Sequence, residues 1–372
     1  MAALRARRSF LITAGAIAPA LLGLPRLAGA AAQCGAGVVV GMPAGPRQAL
    51  LHEVLDPLLA PAGLVPAYQT ASALAQRTRI RAEMGARHPS LDLVVLRDRD
   101  LHAIRAEGGL APVDAQAVPR SAQLLPPFKS LPALVHAWTG LVLVYDKSKF
   151  KTPPDSLAAL LAPAVQEGGD KDAKERQERE RQEREKLGVI GLLDGMAGAL
   201  AVAGSLAAGK GAADLDAGRA WLTALHEQGA RAYADDAALA QAFRQGRVRA
   251  ALAWRSTVLQ WKKDGLTLDT VVPREGLVPT LFQAAPVAAG PDRACAAAYL
   301  NALLDPKVQQ ACADRLYLAP AVDDAALPPE TQAAAFTPEE VARVVSRDMD
   351  LLARAETDLE TFWRTTFHAP PA

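Results

Sequence analysis

The sequence predicts an α/β protein of two lobes, each a sheet flanked by helices, and three observations carry that expectation. The chain has 372 residues, whereas one domain takes roughly 100–200. Its first hundred residues beyond an apolar leader alternate short apolar runs with stretches of helical period. The same alternation begins again after the apolar segment 137–146. With 50% hydrophobic residues and Lys+Arg 41 against Asp+Glu 40, the composition is that of a globular protein and gives no reason to expect a nucleic-acid partner.

In the first set, Val38 to Gly41 is a short apolar run, Arg47 to Leu59 has helical periodicity, Gly63 to Tyr68 is extended, Ser72 to Met84 is helical, and Leu91 to Leu96 reads as a buried strand. The order βαβαβ demands a parallel sheet with helices on its faces. Ligands bind such sheets outside the carboxyl ends of the strands, here the loops 42–46, 69–72 and 97–100. The second set has a strand at Leu187 to Leu192, helices at Met196 to Ala208 and Leu215 to Glu227, and a strand at Arg249 to Trp254. Its strand-end loops hold 193–195, 233–236 and 254–256. Two lobes facing each other leave a cleft suited to a small molecule.

Residues 1–32 carry Arg5, Arg7, Arg8 and Arg26 with no acid, an apolar run from Phe10 to Leu24, and the small residues Ala28, Gly29 and Ala30. This is the three-part form of an export signal, and the run is short for a spanning helix, which takes about 20 residues. Arg7-Arg8-Ser9-Phe10-Leu11 resembles a twin-arginine signal, chance adjacency in an Arg-rich leader being the alternative. Ala31-Ala32-Gln33 before Cys34 does not fit a lipid anchor. A cleaved, periplasmic protein is expected, with a net charge near −3 once the four leader arginines are gone.

An oxidising compartment gives the three cysteines a second meaning. Cys295 and Cys312 fall in consecutive helical segments, about Asp292 to Leu303 and Pro306 to Asp314, and the two readings are a disulfide between them or two buried thiols. Residues 167–186 hold eight acids and seven bases. With i,i+4 pairs such as Glu175/Arg179, they read as a solvated helix, or alternatively as a docking arm.

No catalytic pattern stands out. Gly204 to Gly211 has phosphate-loop spacing, but Gly211 replaces the metal-binding Ser or Thr and the stretch ends a helix, where glycine serves as a C-cap. The six histidines lack i,i+3 or i,i+4 pairing, and no G-x-S-x-G elbow is present. No cofactor and no metal are expected.

Several landmarks share one order with a known family. Leu91-Asp92-Leu93-Val94-Val95-Leu96 is followed by a helix and by Gly108-Gly109-Leu110-Ala111-Pro112-Val113-Asp114; Thr139 to Lys147 and Pro153-Pro154-Asp155-Ser156-Leu157 come next; Pro273-Arg274-Glu275-Gly276 and a Leu303-Leu304-Asp305-Pro306-x-Val308-Gln309 pattern close the series. Over nearly the whole mature length the chain resembles the periplasmic solute-binding proteins of ABC importers, particularly the group with spermidine/putrescine-binding proteins. The resemblance implies a type II periplasmic-binding-protein fold, hinge strands near 137–141 and 283–288, a C-terminal helical region 338–367 packed on the second lobe, and an inner-membrane permease as partner. The implied division is 33–138 with 288–320 as the first lobe and 139–287 with 321–372 as the second, in a monomer that binds a small polar solute without turnover. Where the polyamine group has an aromatic residue and an Asp after the Pro-x-Glu-Gly turn, this chain reads Leu281-Phe282-Gln283-Ala284.

The residues expected at the cleft are Trp138, Tyr233 and Trp254 as walls, Thr70, Ser72 and Thr139 as hydroxyls, and Asp98, Asp194 and Arg255 as charges. Arg255, where a strand leads into a helix, suits an anion. Asp194 suits a cation, so the charge of the ligand stays open. A sensor subunit of the same fold and an exported cofactor-containing enzyme are the alternative functions.

Overall fold

The structure, a computed structural model, describes residues 37–150, 152–161, 189–193 and 196–368. The leader, Cys34, the charged segment 167–186 and Asp194 lie outside the described residues.

The first run forms β1 (Gly37–Met42), α1 (Pro46–Val54), α2 (Asp56–Leu59), β2 (Val65–Thr70), α3 (Ala73–Glu83), β3 (Leu93–Arg97) and α4 (Asp98–Ala106). β1 pairs in parallel with both β2 and β3, as the order βαβαβ requires. Local chemistry sets the helix starts. Ser72 caps α3 by accepting from the Ala75 amide at 3.2 Å, and Pro46 opens α1 where a missing N–H leaves nothing unsatisfied.

β4 (Leu134–Asp146) joins the two halves. From Leu134 to Gly140 it is antiparallel to β9 (Pro279–Pro286). From Leu141 to Tyr145 it is antiparallel to β7 (Val248–Trp254), and β8 (Leu268–Val271) pairs its end. With β5 (Val189–Leu193) and β6 (Arg231–Tyr233) the strand order is β2-β1-β3-β9-β4-β7-β5-β6. Every β4 residue from Leu134 to Tyr145 is buried, the condition of a central strand covered on both faces. β9 corrects the expected division, which kept 279–287 in the second lobe. It fills the slot beside β3, pairing Leu93–Arg97 with Phe282–Pro286, and so satisfies an edge that would otherwise stay open.

The register of β4 slips between Val135 and Ala137, leaving His136 as the extra residue of a bulge. Its carbonyl accepts from Gln309 Nε2 at 2.7 Å; Gln309 also donates to Leu303 and accepts from the Ala321 amide at 2.8 Å. That buried glutamine ties three segments together and accounts for the last residue of the Leu-Leu-Asp-Pro-x-Val-Gln pattern. Asp305 and Pro306 of the same pattern start a helix, with Asp305 accepting from the Lys307 amide at 3.0 Å. The Pro-Arg-Glu-Gly turn has an equally local reason. Glu275 receives Ser156 Oγ at 2.6 Å and the amides of Leu157 and Ala158. Burial opposes its charge, but these hydrogen bonds hold its carboxyl below the usual range.

The helices α9 (Arg293–Leu303) and α10 (Pro306–Leu316) carry the two buried cysteines. Cys312 is a free thiol, and Cys295 is in a disulfide with a different partner, so neither the expected Cys295–Cys312 bridge nor a pair of buried thiols is formed. The helices diverge after their turn: α9 lies on β1, β9 and α2, whereas α10 lies on α1. Burial pushes the Cys312 thiol up to about 12, against the nearby Arg47 charge.

In the second half, α5 (Ala197–Ala207) and α6 (Leu215–Glu227) cross in direct backbone contact, followed by α7 (Asp236–Arg244) and α8 (Arg255–Lys263). A Cβ on Gly204 would stand 2.7 Å from the Gly218 carbonyl, and one on Gly218 would overlap the Ala201 carbonyl. Gly204 is therefore a packing glycine, and Gly209, at φ 68°, ends the turn after α5. The expected C-terminal helical region divides into α11 (Pro338–Val341) and α12 (Met349–Phe367). Leu277 interrupts it by bonding Arg343 O at 2.8 Å and receiving the Val345 amide at 3.0 Å. α12 buries Leu359 and Trp363 and lies on α5 and α6.

Two predictions follow from this packing. Gly218→Ala forces α5 and α6 apart and costs about 1–3 kcal/mol, read as a lower urea midpoint at unchanged slope. Gly211→Ala, whose Cβ meets nothing within 4 Å, leaves the midpoint in place. Burial, aided by Arg47, lowers the His136 imidazole to about 3 from 6.5. Below pH 6.5 the unfolded chain binds the proton that the folded chain refuses, so stability falls as pH drops from about 6.5 towards about 3. At pH 4.5 this amounts to roughly 2–3 kcal/mol, and urea titrations at pH 7 and 4.5 find a smaller difference in His136→Leu.

Candidate functional site

A cleft of about 540 Å³ opens between the two halves. Pro46 of α1 and Arg315, Leu316 and Tyr317 at the end of α10 form one wall; Asp236 of α7 with Ser256, Thr257 and Trp261 of α8 form the other. The starts of α1, α7 and α8 thus converge on one space, as strand-to-helix turns at carboxyl strand ends require.

The walls are mainly apolar, and several of their polar side chains are already paired. Thr257 Oγ1 donates to Asp236 Oδ2 at 3.3 Å. Burial pushes the Asp236 carboxyl above its usual range, and the Thr257 bond acts in the opposite sense. Arg315 is held by Glu53 through two bonds of 2.6 and 2.8 Å. Tyr317 has φ 54°, the one non-glycine residue with positive φ among those described. That conformation is costly for a bulky side chain, and it presents the ring to the cleft, with Lys263 Nζ 5.8 Å from its centroid.

Behind Pro46 at the start of α1, two guanidiniums share one aromatic ring. The Cζ of Arg47 lies 4.3 Å, and that of Arg97 6.0 Å, from the centroid of Phe282. Phe282 is opposite Arg97 in the β3–β9 pairing, which places all three at the carboxyl end of β3 and the start of α1.

The residues expected from sequence lie at or next to strand ends, except Trp138 and Thr139 within β4, and none of those described lines the cleft itself. Thr70 ends β2 and is exposed; Ser72 is the α3 cap. Tyr233 and Trp254 end β6 and β7 and are half-buried. Trp138 is fully buried, donates Nε1 to Pro320 O at 2.9 Å and stacks on Phe336 at 4.4 Å, so it fills the crossing instead of walling a solute. Thr139 Oγ1 accepts from the Ser256 amide at 3.2 Å. Asp98 accepts from the Leu281 amide at 3.2 Å and pairs with Arg347. Arg255 is buried, bonded to Ala335 O and Glu340 at 2.8 Å each, with its Cζ 3.8 Å from the Phe336 ring. Its charge is spent on the C-terminal segment.

Sequence reasoning missed Asp236, Ser256 and Thr257, each adjacent to or within a loop it had marked, because it chose the aromatic or charged neighbour. It also missed Arg47, Arg97 and Phe282. The signal for Arg47 and Arg97 lay in their places just after β1 and at the end of β3, where side chains face ligand. Among the described residues, no group of three or more His, Cys, Asp or Glu is placed to hold a metal ion.

Comparison with known proteins places this geometry. A family model of bacterial extracellular solute-binding proteins matches residues 67–338. An ABC transporter structure from Clostridium perfringens superposes with TM-score 0.73 at 17% identity, covering 89% of this chain and 99% of that one. The spermidine/putrescine ABC transporter substrate-binding protein PotD of Streptococcus pneumoniae gives 0.68 at 18% identity, again 89% and 99%. AttC of Agrobacterium tumefaciens, in an open unliganded conformation, gives 0.71 at 16% over the same shares. Among curated proteins, no significant match to the sequence is found. The fold is the two-lobed type II periplasmic-binding-protein fold expected above.

Proposed function

We propose that this chain, which belongs to the bacterial extracellular solute-binding proteins, captures a small polar organic solute by closing its two lobes and passes it to an ABC permease. The single observation that carries the reading is the 540 Å³ cleft built from both halves of the sheet. Its size fits a small organic molecule, for which pockets run about 300–1,000 Å³. A solute touching Pro46 and Tyr317 on one side and Ser256 and Asp236 on the other stabilises only the closed arrangement, so its binding free energy becomes closure free energy.

The protein acts outside the cytoplasm as a monomer, delivered by the residue 1–32 leader, and it carries out no chemical turnover. Of the residues chosen from sequence, Trp254, Tyr233, Thr70 and Ser72 keep surface at the strand ends and are the ones we retain for ligand contact. Trp138, Asp98 and Arg255 serve the crossing and the C-terminal segment.

A thermal-shift screen of the protein from residue 33 tests the reading with polyamines, amino acids, other carboxylates, quaternary amines, phosphonates and sugars. One chemical class is expected to raise the melting temperature, by the equivalent of about 2.7 kcal/mol at a hundredfold excess over Kd, and to reduce the radius of gyration in X-ray scattering. Trp254→Ala weakens that binding at unchanged stability of the free protein. A ligand that stabilises without compaction contradicts lobe closure.

A further inference from the structure

We propose that the solute is an organic monocarboxylate whose anionic group seats in the first lobe between Arg47 and Arg97 beside Phe282, at the start of α1, whose Pro46 lines the cleft. The inference rests on the solute-binding reading above and names the substrate class.

Four observations lead there. Both guanidiniums approach one ring, Arg47 at 4.3 Å and Arg97 at 6.0 Å. Neither makes an ion pair among the described residues. The arginines around them do: Arg99 holds Glu356, Arg315 holds Glu53 and Arg347 holds Asp98. Arg47 Nε is buried without a hydrogen-bond partner, which leaves a donor open to a bound acceptor. Finally, Arg47 is the second residue of the nine-residue α1, whose N-cap Gly45 supplies no side-chain acceptor and whose first turn has no acid. The free amides of that turn favour an anion.

The charge balance sets the valence. Asp100 faces both arginines, and its carboxyl is raised, first by burial and then against the pull of the surrounding arginines. Burial also lowers Arg47 to about 10, and the like charge of Arg97 adds to it. The neighbouring Tyr299, Cys312 and His136 are uncharged at neutral pH, with Tyr299 and Cys312 held up, and His136 held down, mainly by burial. Arg99 and Asp98 also act on Asp100 but are paired to Glu356 and Arg347, so two guanidiniums against one carboxylate leave about one positive charge, which matches a carboxylate and not a dianionic phosphate. Guanidinium planes recognise carboxylates through paired N–H donors. A polyamine would bring cations against these two guanidiniums.

The test is calorimetry and thermal shift with butyrate, benzoate, 4-aminobutyrate and proline, each beside its primary amide, together with putrescine and inorganic phosphate. A carboxylate is expected to bind while its amide does not, and Arg97→Gln weakens it about 10- to 100-fold. Arg97 is exposed, so this variant folds; Arg47→Gln repeats the loss, and Arg81→Gln, paired to Glu107 outside the cleft, leaves affinity unchanged. Binding and compaction with putrescine, phosphate or an amide, insensitive to Arg97→Gln, overturns the carboxylate subsite and keeps the receptor. If these probes and the wider screen above all leave the melting temperature and the scattering unmoved, the receptor reading falls and the subsite with it.

Discussion

The continuity of β4 governs the rest of the molecule. One strand is buried from Leu134 to Tyr145 and must satisfy two sets of partners, exchanging β9 for β7 between Gly140 and Leu141. The exchange lets a single sheet serve two lobes without an open edge at the join. Gly140 sits at the exchange because a Cβ there would press on Leu277 and stand 3.1 Å from Phe336. The third contact at the join is the bridge of Trp138 with Ala319, closed by bonds of 2.7 and 3.2 Å. A joint made of so few backbone segments concentrates any lobe movement at defined residues.

The first half was legible because its strands and helices announce themselves by period: βαβαβ admits one sheet topology, and β1, β2 and β3 adopt it. β4 was visible as an apolar run, but its length and its change of partner were not, since a strand buried on both faces shows no alternation that marks where one neighbour ends. β9 was misplaced for a related reason. The run Pro279–Pro286 begins and ends with proline and is assigned by the vacancy beside β3, a tertiary fact. The cysteines illustrate the same limit. Spacing put Cys295 and Cys312 on adjacent helices, yet the direction in which α10 leaves the turn carries Cys312 to α1.

At the site, loops were legible and side chains were not. Arg255 stands where a strand meets a helix, and from sequence it is an ideal anion ligand; the structure spends it on Glu340 and Phe336. Whether an arginine serves a ligand depends on whether a carboxylate of the chain reaches it first, and that partner comes from 85 residues away. Arg47 and Arg97 look ordinary in sequence and become distinctive only in the fold, which sets both against Phe282 while Arg99, Arg315 and Arg347 take carboxylates of the chain.

The same accounting explains how the lobes are held without being locked. α4 of the first half meets the approach to α12 through Asp98–Arg347, His102–Asp350 and Arg99–Glu356. The outer pair has side chains 64% and 45% exposed, and such pairs contribute about 0–1 kcal/mol. Asp98 and Arg347 are 8% and 11% exposed, so separating them leaves a desolvated charge unless water enters as the lobes part. A contact of this kind favours one relative position of the lobes, and a ligand decides between the states only through its differential affinity for them.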